Sequence, residues 1–181
     1  MTTSSKLITA DELLKMGDIG RCELIYGELV MMSPAGAEHG IIANRLAHFV
    51  TSFVDEHELG AVFTAETGFK LDRDLVRAPD VSFVRSHRIP KKIPRGFFEG
   101  PPDLAIEVIS PDDTKREMLN KKDAWLAHGA ISVWIVDPRT HTIAVHHIGE
   151  KPVIFKATEE LTDERALPSF VLPIARVFKL P

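Results

Sequence analysis

The chain has 181 residues, 44% of them hydrophobic and 27% charged, with a formal net charge of −4. That length supports one domain with a sizeable core and falls short of two ordinary domains, so residues 1–181 are read as a single domain. The composition excludes a disordered or fibrous chain, the net charge excludes a wholly basic nucleic-acid binder, and one cysteine, Cys22, excludes an internal disulfide and a multi-cysteine zinc site.

No run approaches the roughly 20 apolar residues of a membrane span. The opening MTTSSK lacks the apolar core of a secretory signal, and the expected location is the cytoplasm with no membrane partner. TADELLKM begins on Thr9 with Asp11 and Glu12 behind it, the signature of a short capped helix. CELIYGELVMM reads as a tight hairpin around Gly27. Ile42, Leu46, Phe49, Val50 and Phe53 recur at helical spacing and predict a long amphipathic helix through AEHGIIANRLAHFVTSFVDEHEL. GAVFTAETGFKL gives one or two strands and APDVSFV another. RSHRIPKKIPRGFFEGPP is a Pro- and Gly-punctuated basic loop.

DLAIEVIS then reads as a strand covered on both faces. SPDDTKREMLNKKDAWLAHG carries helix start signals and ends on Gly129. ISVWIVDP and HTIAVHHI are strands separated by a turn at Pro138, and LPSFVLPIARVFKLP supplies a last short strand and a helical turn. A strand, helix and strand around Glu107 make a crossover unit that joins parallel strands, whereas the other strands arrive in hairpins. The expected fold class is α/β (α+β), with a mixed sheet flanked by helices.

Glu107 raises the chemical question, because an unpaired carboxylate among Leu104, Ile106, Val108 and Ile109 would cost several kcal/mol, roughly, or take up a proton. It needs a wet strand end, a cationic partner or a metal. Asp80 opens a strand 27 positions earlier, and if the two strands are neighbours the carboxylates lie side by side and repel unless a cation sits between them. A small set of hard oxygen ligands suits Mg²⁺, with Mn²⁺ as a substitute, and such a site accepts phosphate oxygens. Lys121 and Lys122, on the helix leaving the Glu107 strand, are both placed to orient a water or stabilise charge on phosphorus. Arg85, Arg88, Lys91, Lys92 and Arg95 are candidate phosphate contacts in the basic loop.

APDVSFV, PPDLAIEVISPDD and KKDAWLAHGAISVWIVDP, preceded by CELIYGELVMMSPAGAEHG, resemble the Uma family of the PD-(D/E)XK nuclease superfamily over roughly Thr9 to His147. The resemblance implies a restriction-endonuclease-like core with Asp80 and Glu107 as metal carboxylates. It departs from the superfamily name in one respect: Ile109 stands two residues after Glu107, where a lysine is expected. The family's lysine lies on the next helix, four residues before an aromatic, which here is Trp125 and points to Lys121. Weaker carry-overs are Glu23, as a further carboxylate, and His39, touching substrate or moving a proton.

The implied function is Mg²⁺-dependent hydrolysis of DNA, with a homodimer supplying two sites for two strands. The alternative is a non-catalytic module of nuclease fold, used for binding or assembly, in which Glu107 is the ion-pair partner of a helix lysine. An RNA nuclease would share every residue role. Trp125, Trp134 and Cys22 read as core residues, and His146 and His147 point to opposite strand faces, a poor metal pair.

Overall fold

The computed structural model describes residues 7–180, and the MTTSSK opening and Pro181 lie outside them. In chain order the elements are α1 (Ala10–Lys15), β1 (Cys22–Ile25), β2 (Glu28–Met31), α2 (Ala37–Glu56), β3 (Gly60–Thr64), β4 (Phe69–Asp72), β5 (Leu75–Arg77), β6 (Val81–Arg85), a 3₁₀ turn (Ser86–Arg88), β7 (Phe98–Glu99), β8 (Leu104–Val108), α3 (Lys115–Ala127), β9 (Ser132–Asp137), β10 (Thr142–His146), β11 (Val153–Lys156), β12 (Glu160–Asp163), β13 (Leu167–Pro173) and α4 (Ile174–Phe178). Thr9 and Thr114 close reciprocal capping boxes with Glu12 and Glu117, so α1 and α3 begin where their sequences say. The β1–β2 hairpin turns through Tyr26 and Gly27 at φ 50° and 84°, the left-handed pair that a two-residue hairpin requires.

The larger sheet has strand order β11-β10-β9-β8-β6-β3, with β8 and β9 parallel and joined by α3 as the sequence expects. Its remaining pairs are antiparallel. All five residues of β8 are buried, in keeping with a central strand covered on both faces. On one face Ile42, Leu46, Val50 and Val54 of α2 pack with Val81, Phe83, Leu104, Ile106 and Val108. On the other, Val84, Ala105 and Val133 pack with Trp125 and Leu126 of α3 and with Phe69 and Phe98.

Beside this mixed sheet the described strands form a second one of order β2-β1-β5-β4-β7, plus the β12–β13 hairpin. The division falls inside GAVFTAETGFKL. Glu66 sits at φ 81° and breaks the run, freeing β3 to pair with β6 and β4 with β5. The small sheet lies over the Trp125 face of the large one, with Phe69 and Trp125 rings edge to face at 6.1 Å. Strands β5, β7, β11 and β12 are short or largely polar, and their sequences carry no distinct alternation to announce them.

Candidate metal centre

Register brings the two carboxylates together. Strand β6 pairs antiparallel with β8, and Val81 aligns with Ile106, so one further step sets Asp80 beside Glu107. Residues 80, 82 and 84 alternate onto the face that Ala105 and Glu107 share. Asp80 Oδ2 accepts the Val108 N–H at 2.8 Å, which ties the strand entry to the end of β8.

Glu107 is 2% exposed. Its Oε1 accepts the Trp125 indole N–H at 2.8 Å, and its Oε2 lies 3.5 Å from Lys121 Nζ. Its pKa is raised to about 7, with burial the largest cause. The Lys121 charge opposes that rise, the Asp80 and Glu23 charges add to it, and the indole hydrogen bond opposes it again. The Lys121 ammonium is held in its charged form, its pKa raised by Glu107 first, against burial, and then by Glu23, Asp113 and Asp80. Lys122 instead pairs with Asp123 at 2.6 Å, so the helix turns Lys121 and not Lys122 toward Glu107.

His39, in the first turn of α2, is buried with Nε2 3.2 Å from Asp80 Oδ2. Its pKa is raised by that hydrogen bond, opposed by burial, and raised further by the Asp80 charge, the Val108 carbonyl and Asp113. The imidazole therefore occupies the ground between Asp80 and the Val108 carbonyl. Glu23 is buried too, but both its oxygens are engaged: Oε2 lies 2.8 Å from Arg77 Nη1 and Oε1 accepts the Ala78 N–H at 3.1 Å. Its charge reaches Glu107, while its contacts fix the Arg77–Ala78–Pro79–Asp80 segment.

Among the described residues no group of three or more His, Cys, Asp or Glu side chains is arranged to hold a metal ion. The donor chemistry fits a hard cation nonetheless. Two carboxylates abut on neighbouring strands, and burial first, with the Asp80 and Glu23 charges adding to it, raises the Glu107 pKa to about 7. An ion such as Mg²⁺ that keeps several waters needs no more than one or two carboxylates from the protein.

Sequence reasoning missed Arg77 and Asp113. Arg77, the buried counterion of Glu23, stands three residues before Asp80 in LVRAPD. Asp113 follows the Glu107 strand in ISPDD; its carboxylate accepts the Ser110 N–H at 2.7 Å, and its charge acts on both His39 and Lys121. The basic loop divides. Arg88 Nη1 pairs with Asp103 at 3.0 Å and its other terminal nitrogen donates to the Pro101 carbonyl, while Arg85 donates to the Arg165 carbonyl. Asp103 is four residues before Glu107, about 13 Å along an extended strand, so these two arginines fasten the loop at the end of β8 away from the site. Arg85 and Arg88 are thus engaged within the protein, whereas Lys91, Lys92 and Arg95 stay exposed.

Comparison with known proteins agrees with this reading of the fold. A crystal structure of a protein described as "a putative nuclease belonging to DUF820", from Anabaena variabilis, superposes with a TM-score of 0.83 at 24% identity, over 94% of this chain and 97% of that one. No curated protein matches the sequence. Among the described residues no helix is long and apolar enough to cross a membrane. The family described as "Uma2: Putative restriction endonuclease" matches residues 10–175, nearly the whole chain, and the chain belongs to that family.

Proposed function

We propose that this chain is a Mg²⁺-dependent endonuclease that hydrolyses DNA phosphodiester bonds, with Mn²⁺ able to replace Mg²⁺. The observation that carries the proposal is Glu107, a fully buried carboxylate beside Asp80 whose proton affinity is driven up by burial and by neighbouring negative charge. Asp80 and Glu107 would hold the ion, with the Val108 carbonyl beside them and His39 displaced from or retained on Asp80. A bound divalent ion lowers the pKa of a water and neutralises charge growing on a phosphate.

The chain's own residues do the rest. Lys121 orients the attacking water and offsets negative charge at the phosphate. Trp125 fixes one oxygen of Glu107, leaving the other toward Lys121. Glu23 and Arg77 hold the backbone that delivers Asp80. Lys91, Lys92 and Arg95 contact the DNA backbone away from the scissile bond, and a homodimer brings a second site to the second strand.

The 3.5 Å contact between Lys121 and Glu107 favours one other reading, a non-catalytic nuclease-fold module in which that pair is structural. Isothermal titration of Mn²⁺ into wild type and Glu107→Ala separates them. The nuclease reading expects binding in the wild type that the variant lacks, together with cutting of plasmid DNA that Asp80→Ala abolishes. Cutting that survives in either variant, or a wild type that neither binds Mn²⁺ nor cuts, overturns it. Parallel assays on RNA decide the substrate.

A further inference from the structure

We propose that a cavity under α1 receives one nucleobase of the substrate strand, an assignment that rests on the nuclease reading above. The cavity measures about 540 Å³ and lies against the small sheet. Its floor is one row across that sheet. Leu24 aligns with Val76, and Phe69 with both Arg77 and Phe98, so two steps on from the first pair and one from the others line up Cys22, Ala78, Gly68 and Phe97. Gly68 lies beneath Phe97, and Cys22 and Ala78 are small and make the floor. Phe97 closes it with a ring that lies where a Cβ on Gly68 would come within 2.5 Å of the ring's Cδ1. Leu13 and Ile19 form the opposite wall. A slot with flat apolar surfaces and an aromatic flank suits the face of a planar heterocycle.

Polar groups stand at the edge of the slot. Arg21 and Glu66 border it, only loosely paired at 3.8 Å, and offer a donor and an acceptor to the edge of a base. The basic loop also comes here. Gly96 lies against Leu14, where a Cβ would meet the leucine Cδ2 at 2.8 Å, and this close seating brings exposed Arg95 next to Phe97. A hydrocarbon ligand would leave these arginines unused, and a bare anion would leave the apolar floor unused. A nucleotide uses both.

Position ties the cavity to the chemistry. Ala78, on the floor, is two residues before Asp80, at most about 7 Å along the chain. A nucleotide whose phosphate lies at Asp80 therefore has its base, or its neighbour's base, within reach of the slot. The base must be unstacked, as it is at a strand end, in a single strand or on extrusion from a duplex.

Cys22 is the chain's one cysteine and is half-buried in the cavity floor, so a maleimide reports on the site without any substitution. Burial and the Glu23 charge raise its thiol pKa, so labelling is done at mildly alkaline pH and followed by intact mass. Ca²⁺ replaces Mg²⁺ to keep the strand uncut. With single-stranded DNA at about ten times its Kd, labelling of Cys22 slows about tenfold, whereas an abasic strand of equal length changes it by less than about twofold. Equal protection by the abasic strand, or none by the base-bearing strand, overturns the proposal. Cleavage is scored separately with Mg²⁺. Cutting without protection sinks the cavity alone, and protection without cutting sinks the nuclease reading alone.

Discussion

Trp125 and Trp134 each donate an indole N–H at 2.8 Å to a buried carboxylate, Glu107 in one place and Asp163 in the other. The two carboxylates respond in opposite senses. Burial pushes both upward, but Asp163 ends below its usual range because hydrogen bonds outweigh the burial. Besides Trp134, His147 Nε2 lies 3.2 Å from it and the Ala166 N–H donates at 3.3 Å. The buried Ser132 hydroxyl lies beside it as well, outside full hydrogen-bond geometry yet close enough to favour the charged form. Glu107 has one N–H donor and an ammonium at 3.5 Å, and it faces the charges of Asp80 and Glu23. A buried carboxylate with its lone pairs filled is a clasp. One short of donors and crowded by like charge is poised to take a cation or a proton.

Exchanging the two losses is the strongest way to break this comparison. Glu107→Gln keeps shape and burial, so cleavage should fall by about 10³-fold with little loss of stability. Asp163→Asn should do the reverse, costing about 2–4 kcal/mol in urea unfolding while each folded molecule cuts normally. If Asp163→Asn lost its activity at full stability, the division between clasp and site would be wrong.

The pH dependence comes next in size. Glu107 has a folded pKa of about 7 against an ordinary 4.5, so the folded protein binds this proton more tightly than the unfolded chain. Its contribution to stability is complete below about pH 4.5 and is lost as pH rises through about 7. Asp163 has the opposite sign: its contribution is present above its ordinary 3.8 and is lost only as pH falls below that, so it adds no slope between pH 5 and 8. His39, raised by its Asp80 hydrogen bond, loses stability with rising pH in the same sense as Glu107. In metal-free buffer, wild type should therefore weaken from pH 5 to 8. Glu107→Gln should remove on the order of 2 kcal/mol of that fall, and what remains should be the loss from His39 offset by a gain from His146, whose pKa burial lowers. Equal slopes in the two proteins would mean that Glu107 is ionised throughout.

How far this contrast was legible in the sequence follows from local context. Glu107 announces itself because a carboxylate interrupts LAIEVI, and Asp80 because it enters a strand in family order. Asp163 gives no such signal. In ELTDERAL it has charged neighbours and no apolar run around it, and only the folded β12–β13 hairpin buries it under Trp134. The helices and the crossover around Glu107 follow from periodicity and caps, since those signals are local. Division into two sheets does not, because which strand β4 joins depends on long-range pairing after the break at Glu66. The partners of the basic loop are hidden for the same reason: charge is legible, but Asp103, which pairs with Arg88, is fifteen residues away in sequence.

A smaller effect sharpens the role of the indoles. Trp134→Phe removes a donor from a carboxylate ionised across the whole range, and its cost of about 1–2 kcal/mol should be flat from pH 5 to 8. Trp125→Phe removes a donor from a carboxylate that is neutral at pH 5 and charged at pH 8, so its cost should grow with pH and the apparent pKa of Glu107 should rise further. Unfolding of both variants at the two pH values measures this directly. A pH-dependent cost at Trp134 would show that Asp163 is titrating where Glu107 is assigned to do so.

The smallest stability effect lies between adjacent lysines, and it decides the mechanism. Lys122 pairs with exposed Asp123, and an ion pair of that kind contributes less than about 1 kcal/mol, so Lys122→Ala should leave both stability and cleavage nearly unchanged. Lys121 is the cation closest to Glu107, and Lys121→Met keeps its stem while removing the charge. Losing that charge frees Glu107 to rise toward full protonation at neutral pH, so the variant should be only slightly less stable there. Cleavage should nevertheless fall, because the ammonium proposed to orient the attacking water is gone. Large destabilisation with normal cutting would instead make Lys121 a structural partner of Glu107, and the pair would then be a second clasp like the one around Asp163.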